Sequence, residues 1–402
     1  MPVVPVKGRQ CGGTGGELRG GVQFRGDQGA DMSEFAGTLT VINKGPNNRD
    51  QTGIYGAIAS SSNAVWNLVG FDKSGDDSSS LLKDNNTTYY FGALIGSNVC
   101  ASGSQTTHNK NVWEIGARED VDSYLSGNFF CNAYPNLVGA RSDTIRKVGA
   151  GSTLTFSGSR VRDYEINAGV LKIGADGALL TTWDKDGGGL YVPPITFNGG
   201  VLKLSDAVTL DVSTNIAAVA SSYAIIFDDE GVDRTWNVAL PGSSGLVKKG
   251  SGTLTLTAAP LYTGLTTIEA GTLVVPEGAA LTVNALSAGT LSGTTYATYA
   301  YPANTALAAP AVSGSVSYAA PLDITNIVSV DASAVTLVKG HPYVIASATE
   351  VTGYTKESLA AIPLTLPAGT DASKWVLKVT VVEGRRCLCI APRVRGTKIV
   401  IR

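Results

Sequence analysis

Two stretches of this sequence run in parallel. Gly245-Leu-Val-Lys-Lys-Gly-Ser-Gly-Thr-Leu-Thr-Leu-Thr257 is followed by Tyr262-Thr-Gly264 and Ile268-Glu-Ala-Gly-Thr-Leu-Val-Val275. Upstream, Arg146-Lys-Val-Gly-Ala-Gly-Ser-Thr-Leu-Thr-Phe156 is followed by Ile166-Asn-Ala-Gly-Val-Leu-Lys-Ile173. Gly151 answers to Gly252 and Gly169 to Gly271, with the same separation to within one residue. A repeat of this kind constrains the fold more than any single motif, because each copy is one structural unit that needs neighbours.

In Thr253-Leu-Thr-Leu256 the leucines point to one face and the threonines to the other, since strand side chains alternate with period two. β-Branched threonine suits the solvated face. The glycine before each strand supplies a turn or a close backbone approach. Related strands recur at Gly37-Thr-Leu-Thr-Val41, Gly200-Val-Leu-Lys-Leu204 and Gly289-Thr-Leu291, and Gly252, Gly271 and Gly289 follow one another about every 18–19 residues. That interval fits one turn, or one face, of a narrow solenoid. A lone coil cannot bury its apolar face, whereas stacked coils can.

The run Leu246–Leu256, then Tyr262-Thr-Gly264, then Ala270-Gly-Thr-Leu273 resembles the autotransporter-associated β-strand repeat of bacterial surface and secreted proteins. Residues 146–173 resemble a second, less regular copy, with Arg160-Val-Arg-Asp163 in place of Tyr-Thr-Gly. Phe91–Gly96, Trp113–Ala117 and Leu125–Phe129 look like stretches that precede such repeats. The resemblance implies an all-β fold, a right-handed parallel β-helix, and a passenger role at or beyond the cell surface. It says nearly nothing about activity.

Composition agrees with export. Glycine contributes 48 of 402 residues, well above the usual ~7 %. Charged residues are 16 %, below the usual ~25 %, which argues against a helical cytosolic enzyme. A formal net charge of −2 gives no broad attraction to nucleic acid or anionic membrane. Five cysteines, Cys11, Cys100, Cys131, Cys387 and Cys389, leave at least one unpaired. Cys100 and Cys131 are candidates for a disulfide between coils; buried thiols are the simpler reading of the rest. Met1-Pro-Val-Val-Pro-Val carries no signal-peptide pattern, so we expect a fragment or a mis-assigned start. No run of ~18 apolar residues suggests a membrane span, and too few ~10-residue alternating segments remain for an outer-membrane barrel.

Three regions are expected. Residues 1–145 read as irregular coils with short strands (Ala64–Val69, Thr87–Phe91, Asn111–Ile115) between long polar loops at Asp72–Ser80 and Ala101–Lys110. Residues 146–295 read as the regular solenoid. Residues 296–402 begin with an Ala-, Tyr- and Pro-rich break, then strands at Ile324–Val330, Ala334–Val338 and Tyr343–Ala346, and one short helix at Lys356–Ile362. Trp375–Val382 and Arg385–Ile390, split by Glu383-Gly384, read as a hairpin. It would form an antiparallel cap over the last coil, whose strand edges need cover.

Catalytic motifs are absent from the sequence. The two histidines, His108 and His341, sit in a polar loop and a turn. There is no nucleophile elbow and no phosphate loop. The acidic groups Asp72, Asp76 and Asp77; Asp184 and Asp186; and Asp228, Asp229 and Glu230 stand beside glycine or serine, where aspartate serves turns. Asp184-x-Asp186-Gly begins like a calcium loop, but its twelfth position is Ile195. No catalytic residue, metal or cofactor is therefore assigned. Trp66, Tyr89, Tyr90 and Trp113 are candidate ligand contacts, as a sugar-stacking platform; core packing in alternating strands is the competing reading. The expectation is a monomeric, non-catalytic, exported β-helix that acts as a stalk or adhesin-like passenger toward glycans or a neighbouring cell surface. A β-helix polysaccharide lyase or glycoside hydrolase is the alternative, and a carbohydrate-binding module the third reading.

Overall fold

The computed structural model describes residues 7–8, 22–25, 31–42, 53–55, 60–69, 86–97, 111–127, 143–159, 161–182, 190–293 and 298–393. They fall into two compact units, Met1–Tyr262 and Thr263–Arg402. The fold is nearly all-β. Its strands pair mainly in parallel ladders in the manner of a parallel β-helix, and the last described strands form an antiparallel sheet.

In the first unit one ladder stacks Val112–Ile115, Thr144–Lys147, Asp163–Ile166 and Ile195–Phe197. A second stacks Ser123–Leu125, Thr153–Phe156, Val170–Ile173, Val201–Leu204, Ile225–Asp228 and Leu246–Lys249. The nine-residue strand Thr88–Gly96 joins them: Thr88–Phe91 pairs with Val112–Ile115, and Ile95–Gly96 with Tyr124–Leu125. Gly92 lies between the two paired segments and lets the neighbouring strand approach closely; a Cβ would lie 2.5 Å from the Ser62 carbonyl oxygen and 2.6 Å from that of Ala64.

Alternation sets the register. Thr153–Phe156, Val170–Ile173 and Val201–Leu204 each bury their second and fourth residues. The in-register pairing then piles Leu154, Leu171, Leu202 and Phe227 into one inward column. A parallel column on the other ladder holds Tyr89, Trp113, Ile145, Tyr164 and Ile195. Outward positions stack by charge: Arg146 lies between Glu114 (3.3 Å) and Glu165 (2.6 Å). Lys172 and Lys203, adjacent in the ladder, are both compensated by Glu230, at 2.5 and 3.5 Å, and Lys203 also by Asp228 at 2.9 Å.

The two sequence copies share their turns. Gly149 and Gly250 have φ of +77° and +79°, and Gly169 and Gly271 of +64° and +68°. Yet the copies occupy different ladders. Leu246–Lys249 continues the ladder of Thr153–Phe156, not that of its sequence counterpart Thr144–Lys147. Between them, residues 205–224 supply no named strand and include the short helix Ser213–Ala217, so the chain re-enters the same ladder on its next pass.

In the second unit, Thr282–Asn284, Thr298–Ala300, Leu322–Asp323 and Val351–Thr352 form one parallel ladder. Thr305–Ala308, Ile327–Asp331 and Leu364–Thr365 form another. The hairpin is present: Trp375–Val382 pairs antiparallel with Arg385–Pro392, and Tyr343–Ala348 adds to its other side. Glu383 and Gly384, both at positive φ (49° and 80°), make the two-residue turn. Lys356–Ala361 is helical, with Thr355 and Ser358 forming a capping box. The strand expected at Ala334–Val338 is not one. The Asp331 carboxylate accepts from the Ser333 amide at 2.9 Å and turns the chain. The local hydrogen bond prevails over the apolar alternation there.

Candidate functional site

The repeat's own turn holds the most unusual chemistry. Lys248 and Lys147 each take an inward position in an apolar column and have no solvent exposure. Lys248 follows Phe227 in register, and Lys147 lies between Ile115 and Ile166. Each ammonium curls onto the turn that follows it. Lys248 Nζ donates to the Lys249 and Gly250 carbonyls at 3.0 and 2.8 Å. Lys147 Nζ donates to the Val148 carbonyl and to that of Gly149 at 2.8 Å. Glycines of the adjoining coils leave room for the amine: a Cβ would lie 2.8 Å from Lys147 Nζ at Gly116 and 2.7 Å at Gly169.

The two copies differ in the third partner. Lys248 Nζ lies 2.6 Å from Asp229 Oδ2, and Asp229 is equally buried. Asp229 Oδ1 accepts from the Gly231 and Gly252 amides at 2.8 and 3.1 Å. Lys147 has instead the Ser152 hydroxyl at 3.0 Å, which donates onward to the Gly116 carbonyl at 2.8 Å. With no carboxylate in contact, burial pushes the Lys147 ammonium down to about 8, partly offset by Asp122 and Glu119. Sequence reasoning missed both lysines. The available signal was Lys-x-Gly-x-Gly at the same place in each copy.

The four aromatic candidates do not form one exposed row. Trp66, Tyr89 and Trp113 are fully buried, while Tyr90 is 37 % exposed on the opposite face of its strand. Phe91 connects two of them, edge-on to Trp66 (5.7 Å) and stacked on Trp113 (5.6 Å). The Trp113 indole donates to buried Asp143 Oδ2 at 2.7 Å.

Of the acidic groups, Asp72, Asp76, Asp77, Asp184 and Asp186 lie outside the described residues, as do His108, Cys11, Cys100 and Cys131. The remaining three are each engaged by lysine, with Lys203 shared between Asp228 and Glu230. Asp228 holds Lys203 and the Glu230 amide (3.0 Å), Asp229 holds Lys248, and Glu230 holds Lys172. His341 is exposed, and its amide closes a turn onto the Val338 carbonyl at 3.1 Å. Cys387 and Cys389 are buried free thiols on the hairpin, and burial pushes Cys389 up to about 12. Among the described residues, no cluster of three or more His, Cys, Asp or Glu is placed to hold a metal ion, and no helix is long and apolar enough to cross a membrane.

The stretch that holds the Lys248 turn is matched by a family model. Residues 246–275 match the family model described as Passenger-associated-transport-repeat. The matched stretch begins at Leu246, two residues before the buried Lys248, and ends at Val275 after the strand Thr272–Val274. No curated protein and no solved structure matches the chain. The match agrees with the resemblance carried by Leu246–Leu256 and Ala270–Leu273.

Proposed function

We propose that this chain is the non-catalytic, exported passenger of a bacterial surface or secreted protein, a stiff β-helical stalk that presents its loops for adhesion. The observation that carries the reading is the passenger-associated repeat lying on stacked parallel coils. In-register columns and outward charge ladders resist bending, and loops held at fixed spacing let weak contacts add by avidity. Asp228, Asp229 and Glu230 support the non-catalytic part, since each is engaged by a lysine of the scaffold. A general acid with a nucleophile or base would need two carboxyls facing one cleft. The passenger repeat supports placement outside the cell.

Incubation of the purified chain with plant and mucin polysaccharides, read by product chain length, tests the reading. Unchanged polymers together with retention of chain-coated beads on glycan or cell surfaces is the expected result. Depolymerisation sinks it in favour of a lyase or hydrolase.

A further inference from the structure

We propose that an open cavity beside the C-terminal hairpin is a binding site for an acidic saccharide. It lies wholly within the second unit and has a volume of about 730 Å³, the size of a site for one or two sugar rings. Its wall is apolar: Trp375, Pro367 and Leu337 line it, and Trp375 and Leu337 also pack against the unit's core. A sugar's C–H face packs well on such a surface. The Thr336 and Thr370 side chains lie in the same lining and suit sugar hydroxyls.

Charge selects the ligand class. Lys339, Lys374 and Arg393 line the cavity against a single acid, Asp371, although the whole chain carries a formal net charge of −2. Asp371 is already committed. It accepts from the Ser373 amide and hydroxyl at 3.0 and 2.7 Å and pairs with Lys374 at 3.0 Å. Among the described residues, no ion pair or hydrogen bond engages the Lys339 ammonium. Arg393 is anchored by its backbone amide on the Lys374 carbonyl (2.7 Å) and by Nε on the Trp375 carbonyl (3.1 Å). Among the described residues, no bond engages its two terminal amines, so the guanidinium, held by Nε, leaves them for two oxygens of one anion. A duplex or a membrane would need a long cationic track; a compact open cavity with one aromatic wall fits a single anionic sugar.

The site is independent of the stalk reading and is tested separately. The full chain is titrated calorimetrically with a galacturonic acid trimer, a neutral galactose trimer and a sulfated galactose trimer. The expected result is saturable binding of an acidic trimer, at least tenfold tighter than the neutral one and weakened by salt. Binding by the carboxylated trimer or by the sulfated trimer sustains the proposal and identifies the anion. Lys339→Glu and Arg393→Gln are each expected to weaken it at least tenfold with an unchanged melting curve. If Arg393→Gln unfolds, Lys339→Glu, on an exposed turn, decides alone. Equal binding of the neutral trimer, no binding of either acidic one, or full affinity in Lys339→Glu overturns the proposal. Shortening of the galacturonate trimer would count against the non-catalytic reading and leave the binding site standing.

Discussion

Lys248 Nζ and Asp229 Oδ2 lie 2.6 Å apart in a place where neither side chain touches solvent. The carboxylate comes from the preceding coil, the amine from a column otherwise filled by leucine and phenylalanine. The pair therefore ties two coils together through the repeat's turn. A buried pair of this kind is weak evidence for stability, but breaking one side is costly, because the other charge stays buried alone.

Asp229→Asn and Lys248→Leu are each expected to lower stability by about 3–5 kcal/mol. The double variant should lose much less than the sum. It still lacks a donor for the Lys249 and Gly250 carbonyls, so full recovery is not expected. Urea denaturation of the four proteins reads the coupling; strictly additive losses would refute the linkage between coils.

Lys147 gives the matching site without the acid, and its stability should depend on pH in a defined direction. The unfolded lysine holds its proton to about 10.5, the folded one only to about 8. Between those values the unfolded chain binds more protons, so this group's contribution to stability rises with pH. Buried tyrosines such as Tyr164, whose hydroxyl is raised by burial, act in the opposite sense only at higher pH. The wild-type protein should therefore gain stability relative to Lys147→Met between pH 7.5 and 9.5. Parallel denaturation curves with a constant difference across that range would contradict the assignment.

Much of this architecture was legible in the sequence, and the part that was not has a physical cause. Thr153–Phe156 and Thr253–Leu256 declare their inward face by alternation, and Glu383-Gly384 declares its turn as a two-residue split between apolar runs that ends in glycine. Lys147 and Lys248 were hidden because lysine ordinarily marks the solvated face, and only the curl of the following turn satisfies a buried ammonium. Asp229 read as ordinary turn chemistry, which it partly is, since it also bonds the Gly231 amide. The aromatic strands announced their period. Which face met the core depended on Phe91 packing between Trp66 and Trp113, a contact between separate strands.

Asp143 should matter for how it serves the aromatic column. It accepts from the Trp113 indole at 2.7 Å and from the Asn111 amide at 3.3 Å, all of it buried. Asp143→Ala is expected to cost about 1–3 kcal/mol for each donor left without its acceptor. Asp143→Asn keeps an acceptor for one of the two donors and should cost less by that one bond. Thermal melts of the two variants, followed by near-ultraviolet circular dichroism, check the order; equal losses would mean the acceptor is not what matters.

Gly149 and Gly384 separate two reasons for glycine. Both have positive φ, +77° and +80°. At Gly384 nothing lies within 4 Å of an added Cβ, whereas at Gly149 it would sit 1.9 Å from the Gly116 carbonyl oxygen of the neighbouring coil. Gly384→Ala should therefore cost only the left-handed backbone penalty, about 1–2 kcal/mol. Gly149→Ala adds a collision with backbone that cannot yield without parting the coils, so its loss should be clearly larger and should appear as faster amide exchange in Thr144–Lys147. Hydrogen exchange on both variants measures this. Similar losses in the two would show that conformation alone, and not the close approach of the coils, demands glycine in the repeat's turn.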